Sequence, residues 1–172
     1  RADAGAKIGM GHVMRCVALA GAWGKNSGKV SILTCADNYK SRLRCLTRGL
    51  SCRFLGNRHT ARCDADRTLK TLRYISKQEA RRAWLALDGY HFDESYHRKI
   101  RAAGFGLLVI DDIAHRNRYE ADIILNPNLD AARHWYLAPR QTKFLLVDSL
   151  EYNIGMLNKQ VLRFLFLVHH II

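Results

Sequence analysis

The order of apolar runs along this chain predicts an α/β fold: a Rossmann-like, doubly wound, mostly parallel sheet. Three observations carry that expectation. Short, nearly all-apolar runs recur at strand length, which is what central parallel strands covered on both faces look like. Amphipathic, helix-like stretches separate them. Several runs end in a polar residue, where open sheets of this kind place their ligands.

Taken in order, residues 30–35 (Val-Ser-Ile-Leu-Thr-Cys) form the first strand-like run, followed by 84–88 (Trp-Leu-Ala-Leu-Asp), 107–111, 123–126 and 144–147. The first helix is expected over residues 12–23, where Val13, Met14, Val17, Ala18 and Leu19 make an apolar stripe. Residues 42–50 and 66–83, rich in Arg, Lys and Leu, supply the next two helices. A fourth spans 93–103, opening beside the acidic pair Asp93-Glu94 and stopping at Gly104. The expected carboxyl ends of the strands carry Asp88-Gly-Tyr90, Asp111-Asp112 and Asn126-Pro-Asn128. Asp111 and Asp112 are adjacent, so they point to opposite faces and do different jobs.

The 172 residues suffice for one α/β domain, and with 2 prolines no linker divides them. We expect a lobe over 1–150 and a divergent tail over 151–172. Five cysteines, Cys16, Cys35, Cys45, Cys52 and Cys63, are an odd number without a CxxC pair. That argues against a disulfide framework or zinc site and fits a reducing cytoplasm. The sequence opens without a secretory signal pattern, and no window has the length of a membrane span. The net charge of +13 suits a polyanion surface or a domain handling anionic small molecules. The basic residues spread over 40–53, 58–82 and 98–118 without an aromatic-interleaved tract, so nucleic acid is a lesser expectation.

The segment richest in chemistry is the first. Gly5, Gly9 and Gly11 precede the first helix, where glycines let the backbone approach a ligand and free N–H groups point at it. A diphosphate or a developing anion is the natural guest. His12 stands at the helix entrance, where the positive end of the dipole disfavours an imidazolium. A neutral imidazole there accepts a proton from an attacking water. The alternative is a histidine bonded to nearby backbone. A dinucleotide fingerprint is not met, because Gly9-Met-Gly-His-Val-Met lacks the third glycine. No metal-ligand spacing appears, and His169-His170 sits in an apolar tail.

Arg1-x-Asp3-Ala-Gly5, followed by Ile8-Gly-Met-Gly-His12-Val-Met-Arg15-Cys-Val-Ala-Leu19-Ala, resembles the opening of PseG-type UDP-2,4-diacetamido-2,4,6-trideoxy-β-L-altropyranose hydrolases of pseudaminic acid biosynthesis. Leu87-Asp-Gly-Tyr90-His-Phe-Asp, Val109-Ile-Asp-Asp112-Ile-Ala-His115 and Ala121-Asp-Ile-Ile-Leu-Asn126-Pro-Asn128 resemble later blocks of that family, in order. The resemblance implies the first lobe of a two-lobed, glycosyltransferase-like (GT-B) fold. It places the family's catalytic histidine on His12, with Tyr90 as active-site partner. It puts Asp3, Gly9, Gly11, Arg15, Asp88, Asn126 and Tyr136 along the substrate cleft.

The implied reaction is inverting release of UDP from the sugar by water, without metal or cofactor, in the cytoplasm. Such a reaction needs a base for water more than an acid for a leaving group that departs as an anion. The paired carboxylates of ordinary glycosidases are therefore dispensable. Two departures from the family are expected to weaken activity. A strand before the Arg-x-Asp segment is missing, which should leave its neighbours unpaired, and the chain diverges after Leu146. The second lobe, which supplies UDP contacts in two-lobed relatives, is then lacking. The alternatives are a glycosyltransferase lobe using a nucleotide-sugar donor and a basic polyanion- or RNA-binding module.

Overall fold

The computed structural model describes residues 1–5, 8–24, 29–35, 49–56 and 61–146. The helix expected over 42–50 falls almost wholly outside these residues, as does the tail over 151–172. The described elements are α1 (Gly11–Gly24), β1 (Ser31–Thr34), β2 (Ser51–Phe54), α2 (Ala61–Glu79), β3 (Trp84–Asp88), α3 (Glu94–Ala102), β4 (Gly106–Ile110), β5 (Ile123–Asn126) and β6 (Lys143–Leu146). A 3-10 turn, Ala131–Arg133, lies between β5 and β6.

All strand pairs are parallel, in a two-stranded sheet β1-β2 and a four-stranded sheet β3-β4-β5-β6. Residues 1–4 bridge the two. Ala2 N–H donates to Leu33 O of β1 at 3.1 Å, and Asp88 N–H of β3 donates to Arg1 O at 3.0 Å. The unpaired neighbours expected on either side are thus met in part: residues 1–3 bond Leu33 of β1 and Ala86 and Asp88 of β3. The strand order is thus β2, β1, residues 1–3, β3, β4, β5, β6, and its direction of growth reverses between residues 1–3 and β3.

Period-two alternation divides each strand between two apolar layers. Leu85, Leu87, Leu107 and Val109 face α2 and α3, with Leu69 and Ile100. Leu108, Ile110 and Ile32 face the other side, against Val13, Cys16 and Val17 of α1. Helices therefore cover both faces, the doubly wound α/β arrangement that the alternation predicted. The buried stripe of α1 runs through Val13, Cys16, Val17 and Ala20, whereas Ala18 faces solvent. Residue 18 falls outside because 3.6 residues per turn carry the stripe to 13, 16–17 and 20.

The remaining elements differ from expectation mainly at their ends. α2 begins about a turn earlier and stops at Glu79, where Ala80 adopts φ 49°. α3 opens with Asp93 as N-cap, its carboxylate accepting the Tyr96 N–H at 2.9 Å. β2 is an element that the apolar pattern does not announce: its exposed sequence, Ser-Cys-Arg-Phe, carries no apolar run, and only pairing with β1 makes it a strand. Among the described residues, no helix is long and apolar enough to cross a membrane.

Candidate functional site

Where strand order reverses, the loops leaving the two flanking strands splay apart, and the crevice between them receives ligands in open α/β sheets. Here those loops are the glycine segment entering α1 and the Asp88-Gly-Tyr90 turn after β3. Gly9 has φ 74°, a conformation costly for other residues, and exchanges backbone hydrogen bonds with Gly5 at 2.8 and 3.3 Å. α1 then starts at Gly11 with no acidic residue in its first turn, and a side chain built on Gly9 or Gly11 would meet nothing within 4 Å. The first N–H groups of a helix suit an anion, and α1 presents its own at Gly11 to Val13.

His12 is in that first turn. Its Nδ1 lies 2.6 Å from Asp88 Oδ1 and 2.9 Å from the Arg15 guanidinium. Tyr90 meets the ring edge-on, with centroids 4.9 Å apart. His12 is 8% exposed, while Tyr90 is 43% exposed. The imidazole is therefore buried, with the half-exposed Tyr90 ring against it. Gly89 makes this possible: its φ is 152°, and a Cβ there would come within 2.9 Å of His91 and 3.0 Å of Phe92. The turn that aims Tyr90 at His12 thus requires a residue without a side chain.

Arg15 ties the two loops to the end of β4. Its Nε donates to Asp88 Oδ2 at 2.9 Å, and its other nitrogens donate to Asp88 Oδ1 at 2.8 Å and Asp112 Oδ2 at 2.6 Å. The Tyr90 hydroxyl donates to Asp112 Oδ1 at 2.7 Å. Burial raises the Tyr90 phenol above its ordinary value, as does its bond to the Asp112 carboxylate. For Asp112 itself burial acts upward, but the hydrogen bonds from Tyr90 and Arg15 outweigh it and hold the carboxyl below its usual range. The phenol stays neutral and the carboxylate charged, a stable donor–acceptor pair at neutral pH.

The other expected site residues lie nearby with their polar groups already engaged. Asn126 is fully buried, donates to the Tyr136 hydroxyl at 2.7 Å and accepts the Asn128 N–H at 2.9 Å. Tyr136 in turn donates to Asp111 O at 3.1 Å. This pair holds the ends of β4 and β5 together. Asp3 is also buried, accepting from Arg1, from the Cys35 N–H at 2.7 Å and from His91 at 3.2 Å. Burial pushes its carboxyl upward, yet the bonds from His91 and Arg1 prevail and keep it well below the carboxylate range. Asp88 is fully buried as well.

Asp111 and Asp112 do part company. Asp111 turns inward to accept the Tyr119 hydroxyl and the Ile113 N–H, while Asp112 turns outward to Arg15 and Tyr90. Two residues to which the sequence assigned no site role belong to the site geometrically. One is Asp112, at the expected end of a strand. The other is His115, whose ring packs against the far side of Tyr90 at 5.0 Å and whose Nε2 lies 3.2 Å from Tyr90 O. Both stand in the Asp-Asp-Ile-Ala-His stretch, and the polar residue after the 107–111 run is the signal that points to them.

The arrangement offers a buried imidazole beside an exposed, neutral phenol, a shared guanidinium and a helix N-terminus on one edge of the sheet. These suit proton abstraction beside an anionic group. Among the described residues, no group of three His, Cys, Asp or Glu side chains is arranged to hold a metal ion. No protein-family model matches the chain, and no curated protein matches it significantly.

Proposed function

We propose that this chain is the first lobe of a nucleotide-sugar hydrolase that releases UDP from a diacetamido-trideoxy-hexose, in pseudaminic acid and surface polysaccharide biosynthesis in the cytoplasm. The reading joins the family resemblance of four ordered sequence blocks to one observation. His12, in the first turn of α1, and Tyr90, after β3, meet at the reversal of strand order beside a glycine-lined helix N-terminus. A water oxygen attacks the anomeric carbon while His12 takes its proton. The bond to the diphosphate oxygen breaks, and UDP leaves with the electron pair. The first N–H groups of α1 lie where that growing negative charge can be met. Tyr90 borders the sugar and limits water near the base. As proposed, the reaction uses no metal or cofactor, and a second lobe supplies the uridine contacts.

The test is UDP release from the UDP-diacetamido sugar in ¹⁸O-water, followed by mass spectrometry at high protein concentration. The label should enter the sugar, marking C–O cleavage. His12→Gln should lower the rate by about 10²–10⁴-fold, the usual contribution of a general base. Undiminished turnover in His12→Gln, with folding checked by circular dichroism, would remove the base assignment. The absence of both turnover and UDP-dependent shifts of the Gly9 and Gly11 amides would remove the substrate class.

A further inference from the structure

We infer that Asp88 is a positioning residue that selects the tautomer of His12, holding the proton on Nδ1 and leaving Nε2 bare. The inference deepens the reading above and rests on it for its catalytic consequence, while the tautomer itself is independent of any substrate.

Nδ1 of His12 stands between two neighbours with opposite demands. Asp88 Oδ1, at 2.6 Å, is a carboxylate oxygen and can only accept. The Arg15 Nη2, at 2.9 Å, can only donate. A proton on Nδ1 satisfies Asp88 and wastes the Arg15 contact; a lone pair on Nδ1 does the reverse. The contest is unequal. Arg15 already donates Nη2 to Asp88 Oδ1 at 2.8 Å and Nε to Oδ2 at 2.9 Å, so it loses little when Nδ1 is protonated. A bare Nδ1, by contrast, would set a lone pair against a buried anionic oxygen at the shortest contact the ring makes. The Nδ1–H form therefore prevails.

Asp88 is closed to a ligand by burial and held by three contacts. It is fully buried, its Oδ1 accepts from His12 and Arg15, its Oδ2 accepts from Arg15, and its own N–H is bonded to Arg1 O. Its place at the end of β3, paired in register with Ile110 and bridged to Ala2, fixes it against movement. An oriented carboxylate behind an imidazole is how a base is kept in its useful form, and the opposite nitrogen is then the one that can take a proton.

The experiment is ¹⁵N–¹H correlation of the imidazoles in uniformly labelled protein at neutral pH, with His12 assigned by its loss in His12→Gln. The wild-type ring should show a protonated Nδ1, with its proton shifted downfield and protected from exchange, and an unprotonated Nε2. Asp88→Asn, whose amide can donate to Nδ1, should move the ring to the Nε2–H form. In the hydrolysis assay the same change should lower kcat by about 10²–10⁴-fold, no more than His12→Gln, with little change in KM, the signature of a wrong tautomer. An Nε2–H ring in the wild type overturns the inference, whether or not the variant folds. So does an unchanged Nδ1–H ring in folded Asp88→Asn. A correct tautomer switch without UDP release in any form would instead sink the substrate reading and leave this assignment standing.

Discussion

Acid should weaken this fold through the buried imidazole of His97, among other groups. Its side chain sits on α3 at 1% exposure, nearly parallel to the Tyr119 ring at 6.2 Å, and its Nδ1 is buried without a hydrogen-bond partner. Desolvation lowers its pKa from 6.5 to about 4, helped by the nearby Arg116 and opposed by Asp93 and Asp111. The folded value is depressed, so the unfolded chain takes up the proton first. The contribution of this group is complete above pH 6.5, shrinks as pH falls, and is gone below pH 4. Over that window the loss sums to about 3 kcal/mol, because one proton's difference in binding costs about 1.4 kcal/mol for every pH unit crossed. Against a typical domain stability of about 5–15 kcal/mol, this is a large share. His97→Phe keeps a ring against Tyr119 and removes the titration. Urea unfolding of both proteins at pH 7.5, 6, 5 and 4 isolates the contribution of His97, since all other groups are common to the pair. The wild type should lose about 3 kcal/mol more than the variant between the two ends. Parallel stability curves would refute the reasoning.

Three further outcomes follow from the same geometry. The Arg1 guanidinium, fully buried, is shared by Asp3 and Asp64, so Asp64→Ala should cost about 3–5 kcal/mol by leaving a buried cation half-paired. A thermal melt should show a fall on the order of 10 °C for a chain of this size, and an unchanged Tm would mean the cluster is not held as described. Gly89→Ala should cost about 1–3 kcal/mol through its backbone conformation alone, and relaxing that strain should turn Tyr90 away from His12. Loss of ring-current shifts at His12, read by NMR, checks the second part. Burial raises the Cys16 thiol to about 11, and burial together with its bond to Asp64 raises Cys35 to about 12. Since the thiolate is the nucleophile, native protein at pH 8 should be alkylated at exposed Cys63 while Cys16 and Cys35 react only after unfolding; equal rates by peptide mass spectrometry would contradict that.

The strands that announce themselves are those buried on both faces. Residues 84–88, 107–111 and 123–126 read as continuous apolar runs because α1 covers one side and α2 with α3 the other. β2 cannot be read this way. Only Cys52 of its four residues is shielded, and β1 supplies its hydrogen bonds from a distant part of the chain. Residues 1–3 are equally illegible, since three residues have no period. Their strand-like role exists only because Leu33 O and Asp88 N–H wait on either side. Helix ends are displaced for a local reason. Asp93 acts as a cap before α3, and φ 49° at Ala80 stops α2, neither of which an apolar pattern records.

The candidate site divides along the same line. His12 and the glycines beside it are legible because they are neighbours in sequence, and a glycine turn followed by a polar residue at a helix entrance carries its chemistry locally. The partners that give His12 its character are not local. Asp88 lies 76 residues away, and the Arg15 contacts to Asp88 and Asp112 span 73 and 97 residues. Sheet topology alone unites them, by setting residues 1–3 beside β3 and β3 beside β4, so that three consecutive carboxyl ends deliver an imidazole and two carboxylates around one guanidinium. Once that order is known, the assignment of roles follows from burial. On the proposed reading, a carboxylate fully enclosed and bonded by Arg15 and His12 orients the ring, and the exposed phenol on Asp112 faces an incoming ligand. Resemblance placed Asp88 and Tyr90 together along a cleft; their opposite exposure separates support from contact, and no pattern of letters contains that difference.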